Sequence, residues 1–199
     1  MINYNPISEN LLNKVKSIVG ESNVYIDQES LEAYGHDETE NLNFPPEILV
    51  KPVNVNEVSE IIKLAFENNI PVTPIGARTG LSGGSLSVCG GIGLSMERFN
   101  KIIKIDEDNL QLIVEPGVVT QFLQEEVAKK GLYYAPDPAS RGSCFIGGNI
   151  AENSGGPRAV KYGVTKDFVL NLEVVIPNGE IINTGANTLK NSTLSLIHI

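Results

Sequence analysis

The sequence predicts an α+β fold of two subdomains, and three observations predict it. Residues 47–75 read as strand, helix and strand, a small βαβ unit with a parallel pair and a right-handed crossover. Residues 91–115 then carry three apolar runs at short spacing, the pattern of antiparallel strands. Further on, Asn178-Gly179 separates two more apolar runs and signals a hairpin turn. A larger antiparallel sheet with helices is therefore expected after the parallel part.

The elements follow in order. Leu11, Leu12, Val15, Ile18 and Val19 fall on one helical face, and Gly20 stops that helix. Glu29–Tyr34 is a second, short helix. Glu47–Val50 is a buried-strand run that ends before Pro52. Asn54 and Glu57 have capping-box spacing and open a helix running to Asn68. Its apolar face is Val58, Ile61, Ile62, Ala65 and Phe66. Pro71–Ile75 is the next strand. Strands are then expected over Gly91–Met96, Lys101–Asp106 and Leu110–Glu115, with Ile102, Ile103, Ile105, Leu112 and Val114 half-buried. Thr120–Lys130 is a helix ended by Gly131, and Phe168–Ile176 and Glu180–Thr184 flank the hairpin turn.

Composition excludes several classes. Hydrophobic residues make up 41% of the 199 residues and charged ones 20%, which is globular rather than disordered. A net charge of −9 leaves no basic stripe for nucleic acid. No apolar run is long enough to span a membrane, and the N-terminus lacks the basic and apolar regions of a secretory signal. Cys89 and Cys144 lack ligand-like spacing and read as buried free thiols of a reducing, cytoplasmic compartment.

The segment most charged with function is Pro74-Ile75-Gly76-Ala77-Arg78-Thr79-Gly80-Leu81-Ser82-Gly83-Gly84-Ser85. It follows a strand and is poor in side chains. Glycines let its backbone approach a ligand closely, and successive N–H groups in such turns form anion-binding nests. Phosphate or pyrophosphate is the natural ligand; a flexible linker is the alternative. It is not a mononucleotide P-loop, because no Lys follows Gly80, Gly83 or Gly84. Gly91-x-Gly93 is not a Rossmann fingerprint either, since Met96 stands where the third glycine belongs.

A second constellation lies downstream. It comprises Asp137-Pro138-Ala139-Ser140, then Ile146-Gly147-Gly148-Asn149-Ile150-Ala151-Glu152-Asn153-Ser154-Gly155-Gly156, then Tyr162-Gly163. In a helix, Asn149 and Asn153 would share a face, and Gly147-Gly148 would let the helix N-terminus approach an anion. Asn149 as a cap and Gly155-Gly156 as a plain helix stop are the structural alternatives.

Together, PIGARTGLSGG and this second set resemble the FAD-binding PCMH-type flavoproteins of the vanillyl-alcohol oxidase superfamily. The wording is similar to the branch that holds the flavin-binding component of glycolate oxidase and the D-lactate and D-2-hydroxyglutarate dehydrogenases. The resemblance covers about Leu31 to Thr193. It implies an N-terminal helical segment over 1–45 and a PCMH-type FAD-binding domain over 46–193, with subdomains 46–90 and 91–193, incomplete at its C-terminus. It assigns FAD to Pro74, Gly76, Ala77, Arg78, Thr79, Gly80, Leu81, Ser82, Asp137, Pro138, Ser140, Gly147, Gly148, Asn149, Asn153 and Gly155. FAD should be held non-covalently, because Arg78-Thr79 stands where some relatives place a tethering His.

Two residues depart from the family wording. Arg78 replaces a small residue and either contacts pyrophosphate or points outward to an acidic surface. Glu152 replaces a Thr and should face solvent, away from phosphate. His36 reads as structural and His198 lies in the tail, so neither offers a metal site.

The resemblance implies hydride transfer from a D-2-hydroxy acid to FAD. The base and any metal ligands belong to a C-terminal cap domain beyond this chain, so the 199 residues alone should be inactive. An electron-transfer flavoprotein or iron–sulfur protein is the implied acceptor, in the cytoplasm or at the inner-membrane periphery. The alternatives are a non-catalytic FAD- or nucleotide-binding module and a sugar-nucleotide reductase of cell-wall synthesis. Leu194–Ile199 matches what a transposase sequencing adaptor encodes in this frame, so Thr193 is expected to be the last natural residue; a divergent natural tail is the alternative.

Overall fold

Local sequence signals set most of the elements. The computed structural model describes residues 4–185; the tail expectation, Leu194–Ile199, lies outside them. Helix α1 (Glu9–Val19) is capped by Ser8, which accepts from the Leu11 N–H, and it buries Leu11, Val15 and Val19. Gly20, at φ 83°, turns the chain out of it. Strand β1 (Val24–Tyr25) and helix α2 (Gln28–Ala33) follow, the latter capped by Asp27. Strand β2 (Ile48–Val50) leads to helix α3 (Val55–Glu67). Asn54 caps α3 by accepting from the Glu57 N–H at 3.0 Å. The Glu57 carboxylate returns to the Val53 N–H at 2.9 Å, one residue earlier than the usual reciprocal bond. Ile61 and Ala65 are buried on the apolar face of α3. Phe66 was expected there but is 63% exposed, because it lies one helical step off the buried line.

The main sheet corrects the expected pairing. Strands β3 (Val72–Ile75) and β4 (Ile92–Ser95) complete a four-stranded sheet ordered β1-β2-β4-β3. Strand β4 pairs parallel with both β2 and β3, while β1 runs antiparallel to β2. The βαβ strands are therefore not neighbours: β4 lies between them. The Gly91–Met96 run, expected among the antiparallel strands, belongs to the parallel sheet. All four residues of β4 are buried, as a central strand covered on both faces requires. Strand β3 is one edge of the sheet, where Pro74 can sit without a ladder N–H. Helices α1 and α3 pack on this sheet, and Val15, Ile61, Val50 and Ile92 form the centre of its core.

A second core lies behind the later strands. Strands β5 (Ile102–Asp106) and β6 (Gln111–Val114) form an antiparallel pair. Their register shifts between Ile102 and Lys104. This bulge turns Ile103 outward, so it is 63% exposed while Ile102 and Ile105 face the core. Helix α4 (Thr120–Ala128) and helix α5 (Ile146–Ala151) add Leu123, Val127 and Ile146 to that core. A short helix α6 (Ala159–Tyr162) and the hairpin β7 (Glu173–Val175) and β8 (Ile181–Asn183) complete the described chain. The hairpin turn rests on α3 of the first layer: the Ser59 hydroxyl donates to the Gly179 carbonyl. A Cβ on Gly179 would lie 2.7 Å from that of Lys63. Among the described residues, no helix is long and apolar enough to cross a membrane.

Candidate functional site

The carboxyl ends of the parallel strands, where ligands of open α/β sheets bind, deliver the glycine segment. It leaves β3 at Gly76 and returns to the sheet at β4. Gly76, Ala77, Arg78, Thr79 and Gly80 are half-buried, whereas Pro74, Leu81 and Ser82 are exposed. The backbone N–H groups of residues 77–82 have no hydrogen-bond partner among the described residues. Four of these six donors belong to half-buried residues, where unclaimed backbone groups are unusual. Gly83 differs: its N–H donates to the Thr39 hydroxyl at 2.9 Å.

The second segment meets the first. A Cβ built on Gly76 would lie 3.8 Å from the Gly148 Cα and 3.9 Å from its nitrogen. The Gly148 N–H is unclaimed among the described residues, and its own Cβ position faces open space, as does that of Gly80. Gly147 has a structural task instead. Its N–H donates to the Pro116 carbonyl at 2.8 Å, and a Cβ there would come within 2.7 Å of Pro116. The Ile146 N–H is likewise taken by the Val118 carbonyl at 2.9 Å. The start of α5 is thus docked on the chain before α4, and of its leading donors only that of Gly148 faces the loop. The two described cavities, about 230 and 600 Å³, are lined by other residues, among them Tyr133 and Arg158 in the first and Ile103 and Phe122 in the second.

Other candidate residues hold the scaffold. Asn149 is buried and donates to the Thr120 hydroxyl at 2.6 Å, so it is neither a cap nor turned toward the loop. Helix α5 ends at Ala151, and Asn153 stands outside it at φ 50°, so the two asparagines share no helical face. Asn153 itself adopts the left-handed conformation that ends the helix, and its side chain accepts from the Lys166 N–H at 3.0 Å. Asp137 is buried and ion-paired with Arg158 at 3.2 Å, and it also accepts from the Arg158 N–H. The carbonyls of Pro138 and Ser140 accept from Arg141, Ser143 and Cys144, which closes a tight turn. Gly155 packs near Ala159 and Val164. Cys144 is buried, but Cys89 is exposed, contrary to the expectation for that thiol.

Both departures from the family wording have a structural account. Glu152 is exposed, as expected, yet it does not leave the loop: the Ser82 hydroxyl donates to its carboxylate at 3.1 Å. Arg78 adopts φ 59°, a conformation that favours glycine, which explains why a residue without a side chain suits this position. Its guanidinium lies 4.2 Å from the centre of the Tyr34 ring. It therefore stacks on an aromatic face rather than pairing with an acidic one. Tyr34 donates to Glu97, which also binds Lys51 at 2.6 Å. Burial would raise the Glu97 carboxyl, but the hydrogen bonds from Lys51 and Tyr34 outweigh it and hold the group below its usual value. Burial likewise works against the Lys51 ammonium and is outweighed by Glu97 and Tyr34. For Tyr34, burial first and then Glu97 push the phenol up.

These observations separate two substitutions. Arg78→Ala loses the stack and keeps the backbone cost of φ 59°, whereas Arg78→Gly loses the stack but relieves the backbone. Arg78→Gly should therefore be more stable than Arg78→Ala by about 1 kcal/mol. Urea denaturation of the two variants side by side checks this.

Sequence reasoning missed Tyr34, Thr39, Pro116, Thr120 and Arg158. Each touches the glycine segments or their supports, but each contact joins residues far apart in the chain. No spacing rule links Thr120 to Asn149 or Arg158 to Asp137, so only the fold reveals those pairs.

Comparison with known proteins agrees with the geometry. A family model described as "FAD binding domain" matches residues 46–185. The D-lactate dehydrogenase of Anaerostipes hadrus is 41% identical over 191 residues, covering 96% of this chain and 40% of that protein. Glycolate oxidase subunit GlcD of Bacillus subtilis (strain 168) is 45% identical over 157 residues, covering 79% of this chain and 33% of that protein. The chain thus spans well under half of these relatives. Among solved structures, an alkyldihydroxyacetonephosphate synthase superposes with a TM-score of 0.82 at 19% identity, covering 94% of this chain and 36% of the other, a likeness of fold. The glycine loop, its contact with Gly148 and these matches lead to one conclusion: the chain belongs to the FAD binding domain family, and its cofactor is FAD.

Proposed function

We propose that this chain is the FAD-binding portion of a flavin-dependent oxidoreductase acting on a D-2-hydroxy acid. One observation carries the cofactor part: the N–H groups of residues 77–82 are unclaimed, and the loop that carries them starts at Gly76, against Gly148, whose own N–H is also free. Such a donor array matches a pyrophosphate, which accepts at several oxygens at once. Gly76, Gly80 and Gly148 keep side chains out of the approach, while the Ser82 hydroxyl is committed to the Glu152 carboxylate. No cysteine or histidine occurs between Gly76 and Ser85, so the proposed binding is non-covalent. Asp137, Pro138, Ser140, Asn149, Asn153 and Gly155 then act as supports that keep the second segment against the first.

FAD, when bound, would supply the electron acceptor for oxidation of the substrate's carbinol carbon. The chain's own part is to bind, orient and partly enclose the cofactor. The hydroxy-acid substrate class rests on the similarity to the D-lactate dehydrogenase and glycolate oxidase relatives. In this reading the protein is cytoplasmic, hands its electrons to a flavoprotein or iron–sulfur partner, and has its first lobe extending through β4.

The test compares two flavins on protein expressed from the complete reading frame. FAD should bind with quenching of its fluorescence. FMN, with one phosphate, should bind at least tenfold more weakly. Equal binding of both, or of neither, would defeat the pyrophosphate reading. Anaerobic bleaching of the bound flavin by D-lactate or glycolate, and not by the L-enantiomer of lactate, would support the substrate class.

A further inference from the structure

We propose that Tyr34–Thr39, a segment outside the 46–185 match, is a positioning element that holds the glycine loop in its anion-accepting form. This inference rests on the reading of that loop as the pyrophosphate site.

Four contacts join the segment to the loop. The Glu38 N–H donates to the Gly80 carbonyl at 3.1 Å. The Thr39 hydroxyl accepts from the Gly83 N–H at 2.9 Å. The Ser85 hydroxyl reaches the Asp37 carboxylate at 3.5 Å. The Tyr34 ring lies under Arg78. The segment is itself fixed. Asp37 is buried and accepts from the Thr39 N–H at 2.8 Å. Tyr34 is anchored through Glu97 to Lys51 at the ends of β4 and β2.

The chemistry of these contacts selects which donors remain for a ligand. The Gly80 carbonyl is bound by Glu38, so it is directed at that segment and not at an anion, which a carbonyl oxygen would repel. The Gly83 N–H is taken by Thr39. What stays unclaimed is the run from Ala77 to Ser82. A glycine-rich loop has many conformations of similar energy, and ordering it on binding would weaken affinity. Fixing both ends of the donor run from a separate segment removes much of that cost. Tyr34, Glu38 and Thr39 touch the loop rather than its ligand, so they act on the cofactor through it.

Three variants of the full-length protein test this. Thr39→Val removes the acceptor while keeping the shape. It should raise the FAD dissociation constant about tenfold, the scale of one lost hydrogen bond to a half-buried donor. Thr39→Ser, which keeps the oxygen, should restore wild-type affinity. In cofactor-free protein, amide exchange of Glu38 and Gly83, the two N–H groups that bind between the segment and the loop, should quicken in Thr39→Val while that of β2 and β4 stays unchanged. Tyr34→Leu, which removes the ring under Arg78, should show the same local quickening and provides a second test if Thr39→Val folds poorly. Wild-type affinity in both Thr39→Val and Tyr34→Leu, or exchange that rises equally across the sheet, would overturn the proposal. Failure of the wild-type protein to bind FAD would instead defeat the functional reading, and the exchange measurement would still judge whether the segment orders the loop.

Discussion

Gly156→Ala should destabilise the protein by about 3–5 kcal/mol, the upper range for a single substitution. Gly156 has φ 133°, which L side chains rarely adopt. That alone costs about 1–3 kcal/mol. A Cβ there would also lie 2.2 Å from the Asp137 carbonyl oxygen and 2.5 Å from its carboxylate. These are backbone and buried side-chain atoms, so relief requires Asp137 to move. Asp137 is 4% exposed and holds Arg158 through both its side chain and its backbone N–H. Moving it would leave a buried carboxylate imperfectly paired, which adds to the loss. Urea denaturation with Gly155→Ala as the comparison checks the origin of the effect. At Gly155 the nearest atoms would be ordinary side-chain carbons at 3.4 Å, so that change should cost far less.

Gly80→Leu should lower FAD affinity by about 100-fold, or about 3 kcal/mol, while leaving the fold almost as stable as before. The reason is the open space at its Cβ: nothing lies within 4 Å, so a side chain meets no protein there but stands in the approach to the free donors. Gly148→Leu should behave alike, for the same reason and from the facing segment. Gly147→Leu should do the opposite, unfolding the region around Pro116 because its Cβ would be 2.7 Å from that ring. Flavin titration paired with thermal denaturation separates the three. A Gly80→Leu protein that binds FAD normally would remove the loop from the cofactor site.

The sequence made local features legible, and distance along the chain limited the rest. Asn54, Gly20, Gly131 and Asn178-Gly179 each mark a boundary through their own chemistry, and the observed elements begin or end beside them. The antiparallel β5–β6 pair was readable because its strands are adjacent in sequence. The position of β4 was not, since strand order depends on contacts between residues 48 and 92. A signal was nonetheless present: Ile92-Gly93-Leu94-Ser95 has no alternation of apolar and charged residues, as a strand covered on both faces would show. For the site, glycine and hydroxyl content betrayed the loop directly. Composition could not show that Gly147 serves packing while Gly148 faces outward, because neighbouring glycines differ only in their surroundings. Nor could it show that Asn149 turns inward to Thr120, across 29 positions.

The insertion of β4 between β2 and β3 has a consequence for the order of events in folding. Strand β4 is the last of the four to be synthesised and the one that joins the other parallel strands. The sheet cannot close until the glycine segment has emerged and looped back, so closure waits on a non-local contact and should be slow. Once β4 is seated, that segment is tethered at both ends by a completed sheet. Through that closure and the contacts of Tyr34–Thr39, its chain entropy is then surrendered during folding, before any cofactor arrives. Cofactor capture by such a site should be limited by diffusion and desolvation rather than by rearrangement of the backbone, so association rates should change little when the loop is made intrinsically stiffer.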